Sequence, residues 1–197
     1  RKTAYVLILI IIPFLMLIRL QLGVFALIFL TFLFFKKFKL IFFVLYCVTA
    51  FTGAWLSLHG GYIEVETFGS GMTAFLRNWN GSYFYTGFLI FNPIRVVQYF
   101  EAMYLSFFVI NEGQFDWARF LNIPSVIILS FYWKYIFKAF LNIKLTYNTE
   151  LKPIMILILS FMLTWLMNPT VNTRYVMLVV PFLFILGVAF KYRKKEI

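Results

Sequence analysis

Long apolar runs separated by short polar interruptions organise this chain from end to end. A helix that crosses a bilayer takes about 20 predominantly apolar residues, or somewhat fewer where flanking Lys or Arg reach back to the headgroups. Six segments meet that requirement, at roughly 3–19, 22–36, 40–58, 118–138, 152–168 and 173–190. The stretch 83–110 is apolar at both ends (SYFYTGFLIF and AMYLSFFVI) but carries Asn92, Pro93, Arg95, Gln98 and Glu101 in its middle. No repeat, low-complexity tract or soluble domain interrupts the pattern. The expectation is one all-α transmembrane domain over 1–197. The chain opens with Arg1 and enters a hydrophobic run at once, so it is expected to be the C-terminal part of a longer protein. Residues 4–18 could pass for the core of a signal peptide, but no small-residue cleavage site follows, which points to a retained helix.

Composition narrows the class in the same direction. Hydrophobic residues make up 63% of the chain and charged residues 13%, whereas soluble domains are about 45–50% apolar and about 25% charged. The lone Cys47 excludes an intramolecular disulfide and a cysteine-based metal cluster. The glycine-bearing stretches TFGSGMTAF and NWNGSYFYTG lack the Lys-Ser or Lys-Thr of a phosphate loop. No zinc, iron or nucleotide signature is present, so neither a metal nor a cofactor is expected. The net charge of +11 has a membrane explanation and gives no reason to invoke nucleic acid as a partner.

That explanation is orientation, because cytoplasmic loops are enriched in Lys and Arg. The KKFK cluster at 36–39, KYRKK at 191–195, the group Lys134, Lys138, Lys144 and Lys152, and the leading Arg1-Lys2 are therefore all placed on the cytoplasmic side. Parity then decides the ambiguous stretch. Segment 40–58 runs outward and 118–138 must return, which works only if 83–110 does not cross. It would lie along the outer interface or dip in as a re-entrant hairpin bent at Asn92-Pro93, where irregular backbone can be buried in protein. The expected protein sits in the cytoplasmic (inner) membrane, with six spans, both termini cytoplasmic, and an outer region from 59 to 119.

This topology sorts the basic residues. The Lys fall inside, whereas the outward positions hold Arg19, Arg77, Arg95, Arg119 and Arg174. Lys is a hydrated point charge, and Arg presents a planar fork that grips phosphate or carboxylate bidentately. The outer face thus reads as built to hold an anion. The plainer alternative pairs these arginines with the acids Glu64, Glu66, Glu101, Glu112 and Asp116, or with lipid headgroups. Arg95 and Arg174 stand apart because each adjoins or interrupts an apolar run, a setting in which ionisable residues mark function by default. The outer aromatics Tyr62, Trp79, Tyr83, Tyr85, Tyr99 and Trp117 suit an interfacial belt, with sugar stacking as the alternative.

The run Asn172-Thr173-Arg174-Tyr175, followed by Pro181 on the last apolar helix before a basic tail, resembles the C-terminal feature of bacterial O-antigen and exopolysaccharide polymerases. It is also similar to related multi-span glycosyltransferases that use polyprenyl-phosphate sugars. The resemblance implies an all-helical enzyme working at the outer face, with a polyprenyl-(di)phosphate-linked glycan and the lipid bilayer as its partners. Arg174 and Tyr175 would then sit in the donor site, joined by Arg95, Arg77 and Arg119. Glycosyl transfer needs positive charge at the departing diphosphate and a base for the acceptor hydroxyl. Candidates for the base are His59, Glu64, Glu66, Glu101 and Asp116, none set apart by spacing; Glu101, Asp116 and His59 are carried forward. His59 also suits a helix-end residue bonding its last carbonyls. Two other classes remain open: a transporter or flippase of an anionic or lipid-linked substrate, which calls for paired broken helices in two halves, and a non-catalytic membrane assembly subunit.

Overall fold

The computed structural model describes residues 11–35, 37–59, 70–104, 110–111, 114–115, 117–143, 150–168 and 173–193. Residues 11–18 are helical and lead through extended Arg19 into α1, Leu20–Phe34. The chain continues through α2 (Phe38–His59), α3 (Ser70–Ser82), α4 (Gly87–Tyr104), α5 (Trp117–Leu141), α6 (Lys152–Leu166) and α7 (Thr173–Arg193). Between α4 and α5 a two-residue antiparallel ladder pairs Ile110 with Phe115 and Asn111 with Gln114. The described fold is otherwise all-helical.

The helix α6 occupies the centre. Nine of its fifteen residues are buried, among them Met155, Ile158, Leu159 and Leu163, and it touches α1, α2, α4 and α7. A helix apolar all round is one surrounded by other helices. Its two hydroxyls are satisfied within the helix itself: Ser160 Oγ donates to Ile156 O at 2.7 Å and Thr164 Oγ1 to Ser160 O at 2.7 Å. Thr31, Thr49, Thr52 and Ser130 bond back one turn in the same way, which lets a hydroxyl sit in apolar surroundings without water.

Helix directions follow from register. Tyr132 packs against Phe184, and Gly187 lies against Ile136, so α5 and α7 run the same way. Tyr46 of α2 shares a cavity with Leu159 and Leu163, and Gly53 meets Met167 just past α6, so α2 and α6 are also parallel. A Cβ on Gly53 would stand 2.7 Å from Met167 O. Glycine therefore permits this approach of backbone to backbone.

The outside of the bundle is apolar. Phe131 is 77% exposed and Phe43 64%, with Leu121, Phe137 and Leu141 also in the open. Among the described residues two helices, Phe38–His59 and Phe120–Leu141, are long and apolar enough to cross a membrane, and Leu20–Phe34, Lys152–Leu166 and Val176–Tyr192 are shorter apolar helices.

The stretch 83–110 departs from expectation. It does not bend into a hairpin at Asn92-Pro93; α4 runs unbroken from Gly87 to Tyr104 with Pro93 inside it. Proline has no N–H to give the carbonyl four residues back. That carbonyl, Leu89 O, accepts instead from Tyr46 Oη at 2.7 Å. A side chain of α2 thus makes the bond that proline removes from α4, and the helix continues.

The turn before α4 is held just as locally. Phe84 and Tyr85 both have positive φ, 55° and 65°, which a bulky residue adopts only when its surroundings enforce it. Buried Asn80 supplies that enforcement. Its Oδ1 accepts from Gly87 N at 2.7 Å and its Nδ2 donates to Ser57 Oγ at 3.1 Å, tying α3, α2 and the start of α4 together. Leu76 and Phe88 pack with Ala50 and Ala54 beneath it.

Candidate functional site

One face of α4 carries Phe88, Asn92, Arg95, Tyr99 and Met103, all buried, at the three- and four-residue spacing that lines up one side of a helix. Ile90, Ile94, Val97, Glu101 and Tyr104 form the exposed side. Arg95 is therefore turned into the protein in the middle of α4, where it is 0% exposed, and is not presented from a helix start beside Pro93.

What receives it is the C-terminal end of α6. The last carbonyls of a helix have no donor within it and carry the negative end of the macrodipole, about half a charge. Arg95 Nη1 donates to Leu166 O at 2.7 Å and to Asn92 Oδ1 at 2.8 Å, and Nη2 donates to Asn168 O. Tyr99 Oη donates to Trp165 O at 3.2 Å. The guanidinium carbon also stands 4.4 Å from the centre of the Phe88 ring, whose negative face favours a cation. The buried charge is held by oriented carbonyls and a π face, and no carboxylate pairs with it among the described residues. Arg95 Nε and Asn92 Nδ2 find no acceptor among the described residues.

This arrangement fixes the end of α6 as far as Asn168. Asn168, gripped by Arg95, starts the Asn-Pro-Thr-Val-Asn connection to α7, and Arg174 lies in the first turn of α7. Arg95 and Arg174 thus belong to one end of the bundle, with Gly53 of α2 pressed against Met167 at the same place. The side chains of Arg174, Tyr175 and Arg119 lie outside the described residues. Arg119 falls in the first turn of α5, and Arg77 is exposed on α3.

The base candidates do not gather around Arg95. Glu101 is exposed on the other side of α4, so the plainer pairing of Arg95 with this acid is not made. Asp116, Glu64, Glu66 and Glu112 lie outside the described residues. His59 ends α2 as an exposed residue and its Nδ1 is 3.1 Å from Trp55 O. A carbonyl can only accept, so Nδ1 carries the hydrogen and Nε2 is the nitrogen left to take up a proton. The His59 ring stacks on Trp55 with centroids 5.2 Å apart and on Tyr85 at 6.4 Å. Of the aromatics assigned to an interfacial belt, Tyr99 is buried in the core and serves α6, whereas Tyr83 and Trp117 are exposed.

Sequence reasoning missed Asn92 as a partner of Arg95 and Tyr99 as a second donor to the end of α6. The signal was available: three polar residues at 92, 95 and 99 fall on one helical face together with Phe88 and Met103. Asn168 and Gly53 carried no such signal, since their roles depend on which helices meet.

No family model, curated protein or solved structure matches this chain.

Proposed function

We propose that the chain is an integral membrane protein of six spans, with both termini cytoplasmic, that works as a glycosyltransferase or polysaccharide polymerase. Its substrate is a polyprenyl-(di)phosphate-linked sugar at the outer face of the cytoplasmic membrane. The observation that carries the reading is the hold of a fully buried arginine on Leu166 and Asn168, the residues from which the chain leaves α6 toward α7. A buried guanidinium is costly to install, and here it is committed to Leu166 O and Asn168 O, a few residues before Arg174 at the start of α7.

The apolar exterior and the back-bonded hydroxyls support the membrane part. The parallel pairs α2 with α6 and α5 with α7 agree with a layout in which 40–58 and 152–168 run outward and 118–138 and 173–190 run inward. In this reading Arg174 binds the donor diphosphate, Arg95 positions it through the turn, and His59 Nε2 and Glu101 are the base candidates on exposed positions.

The test is polymer formation in reconstituted membranes. Because the fork geometry is what grips phosphate, Arg174→Lys is expected to abolish product almost as fully as Arg174→Ala, with the protein inserted at normal levels. Full activity in the Lys variant reduces Arg174 to a generic charge and removes the donor-site assignment.

A further inference from the structure

Between α2, α4 and α6 lies a cavity of about 370 Å³ that the reading above does not use. Its walls include Phe42, Tyr46, Val96, Leu159 and Leu163, and a single amide side chain, Asn92, interrupts the apolar lining. The orientation of that amide is decided by its neighbour. Arg95 Nη1 can only donate, so Asn92 Oδ1 must face it, at 2.8 Å, and Nδ2 is directed elsewhere. Nδ2 is buried and has no acceptor among the described residues. A buried donor left unmet costs about 1–3 kcal/mol, which an occupant with an acceptor oxygen would recover.

Two features decide the occupant. Pro93 at the edge of the cavity is exposed, and so are its neighbours Ile94 and Val97 on α4 and Phe43 on α2, so the cavity opens onto an apolar surface, which the membrane part of the reading above, on which this inference rests, sets in lipid. The free donor among its lining residues is a neutral amide, because the Tyr46 hydroxyl already donates to Leu89 O and Arg95 is not part of the lining. A neutral donor in an apolar slot suits one ester carbonyl followed by a hydrocarbon chain; a phosphate would call for charged donors. We propose that the cavity holds an acyl chain of a bilayer glycerophospholipid, its ester carbonyl accepting from Asn92 Nδ2, and that this lipid is a resident part of the α2–α4–α6 packing. The inference stands whether or not the chain transfers sugars.

The experiment uses the intact protein in nanodiscs with a phospholipid carrying a diazirine midway along one acyl chain. After irradiation, cross-links are mapped by mass spectrometry. They are expected to concentrate on Phe42, Leu159 and Leu163, while Phe131 on the outer surface marks ordinary bilayer contact. Unlabelled ester phospholipid should compete for the cavity cross-links about threefold to tenfold better than its ether analogue, the net worth of one neutral hydrogen bond. Asn92→Leu should erase that ester preference, and Val96→Trp should remove the cavity cross-links and leave Phe131 labelled. Equal competition by ester and ether lipids against the unmodified protein overturns the carbonyl assignment without requiring any variant to fold. Cross-links at Leu159 and Leu163 no stronger than at Phe131, or displaced only by a prenyl phosphate, overturn the occupant.

Discussion

Tyr46→Phe should destabilise the protein through Pro93, a residue on another helix. In most helices a buried carbonyl such as Leu89 O accepts from the N–H four residues on; here that position is proline and the donor is Tyr46 Oη at 2.7 Å. Removing the hydroxyl leaves the carbonyl without a donor among half-buried apolar groups, which costs about 1–3 kcal/mol. Pro93→Ala supplies an N–H in position to close the helical bond, and its exposed site tolerates the change. In that background Tyr46→Phe should cost only about 0.5 kcal/mol, at the low end of a net hydrogen bond. The coupling between the two changes is therefore about 1–2 kcal/mol, well above the few tenths by which independent sites depart from additivity. The assay is a four-member cycle of SDS-induced unfolding in mixed micelles, followed by tryptophan fluorescence. Equal cost of Tyr46→Phe in both backgrounds would refute the claim that α2 repairs the proline break in α4.

Other outcomes can be checked in the same preparations. Gly53→Ala should cost about 1–3 kcal/mol as an overpacking change, since its Cβ would meet the backbone of Met167; Gly187→Ala, whose Cβ would meet the Ile136 side chain at 2.9 Å, should cost less. A reversed order in unfolding midpoints would contradict the close α2–α6 approach. For topology, single cysteines at Ser70 and Gln114 in a Cys47→Ser background should both react with a membrane-impermeant thiol reagent from outside. Labelling of one from outside and the other only after lysis would mean that the stretch between them crosses.

Local chemistry made much of the helix layout legible. Long apolar runs over 22–36, 40–58, 118–138, 152–168 and 173–190 correspond to α1, α2, α5, α6 and α7 within a few residues, because a helix with an apolar exterior needs no partner to specify it. The short helix α3 and the strained Phe84-Tyr85 turn were not visible, since Asn80 and Ser57, which hold them, are far apart in sequence. Pro93 misled for a related reason: a proline reads as a break, and only the fold brings Tyr46 to the orphaned carbonyl. Arg95 was legible as unusual, but the carbonyls that bind it belong to α6 and the residues just after it, some 70 positions on, and no spacing rule reaches that far.

The most direct test of the account is a cycle of Arg95→Lys and Arg174→Lys, read by binding of a polyprenyl diphosphate-linked sugar to reconstituted protein. Lys at 95 cannot span Leu166 O, Asn168 O and Asn92 Oδ1 together, so the hold on Asn168 is lost and, on the proposed reading, Arg174 is misplaced before any change is made to it. Each single variant should then bind weakly, and the double variant should lose clearly less than the product of the two losses, as residues acting as one unit do. Strict additivity with both singles impaired would place the two arginines in separate sites and contradict a turn held by Arg95 for the use of Arg174.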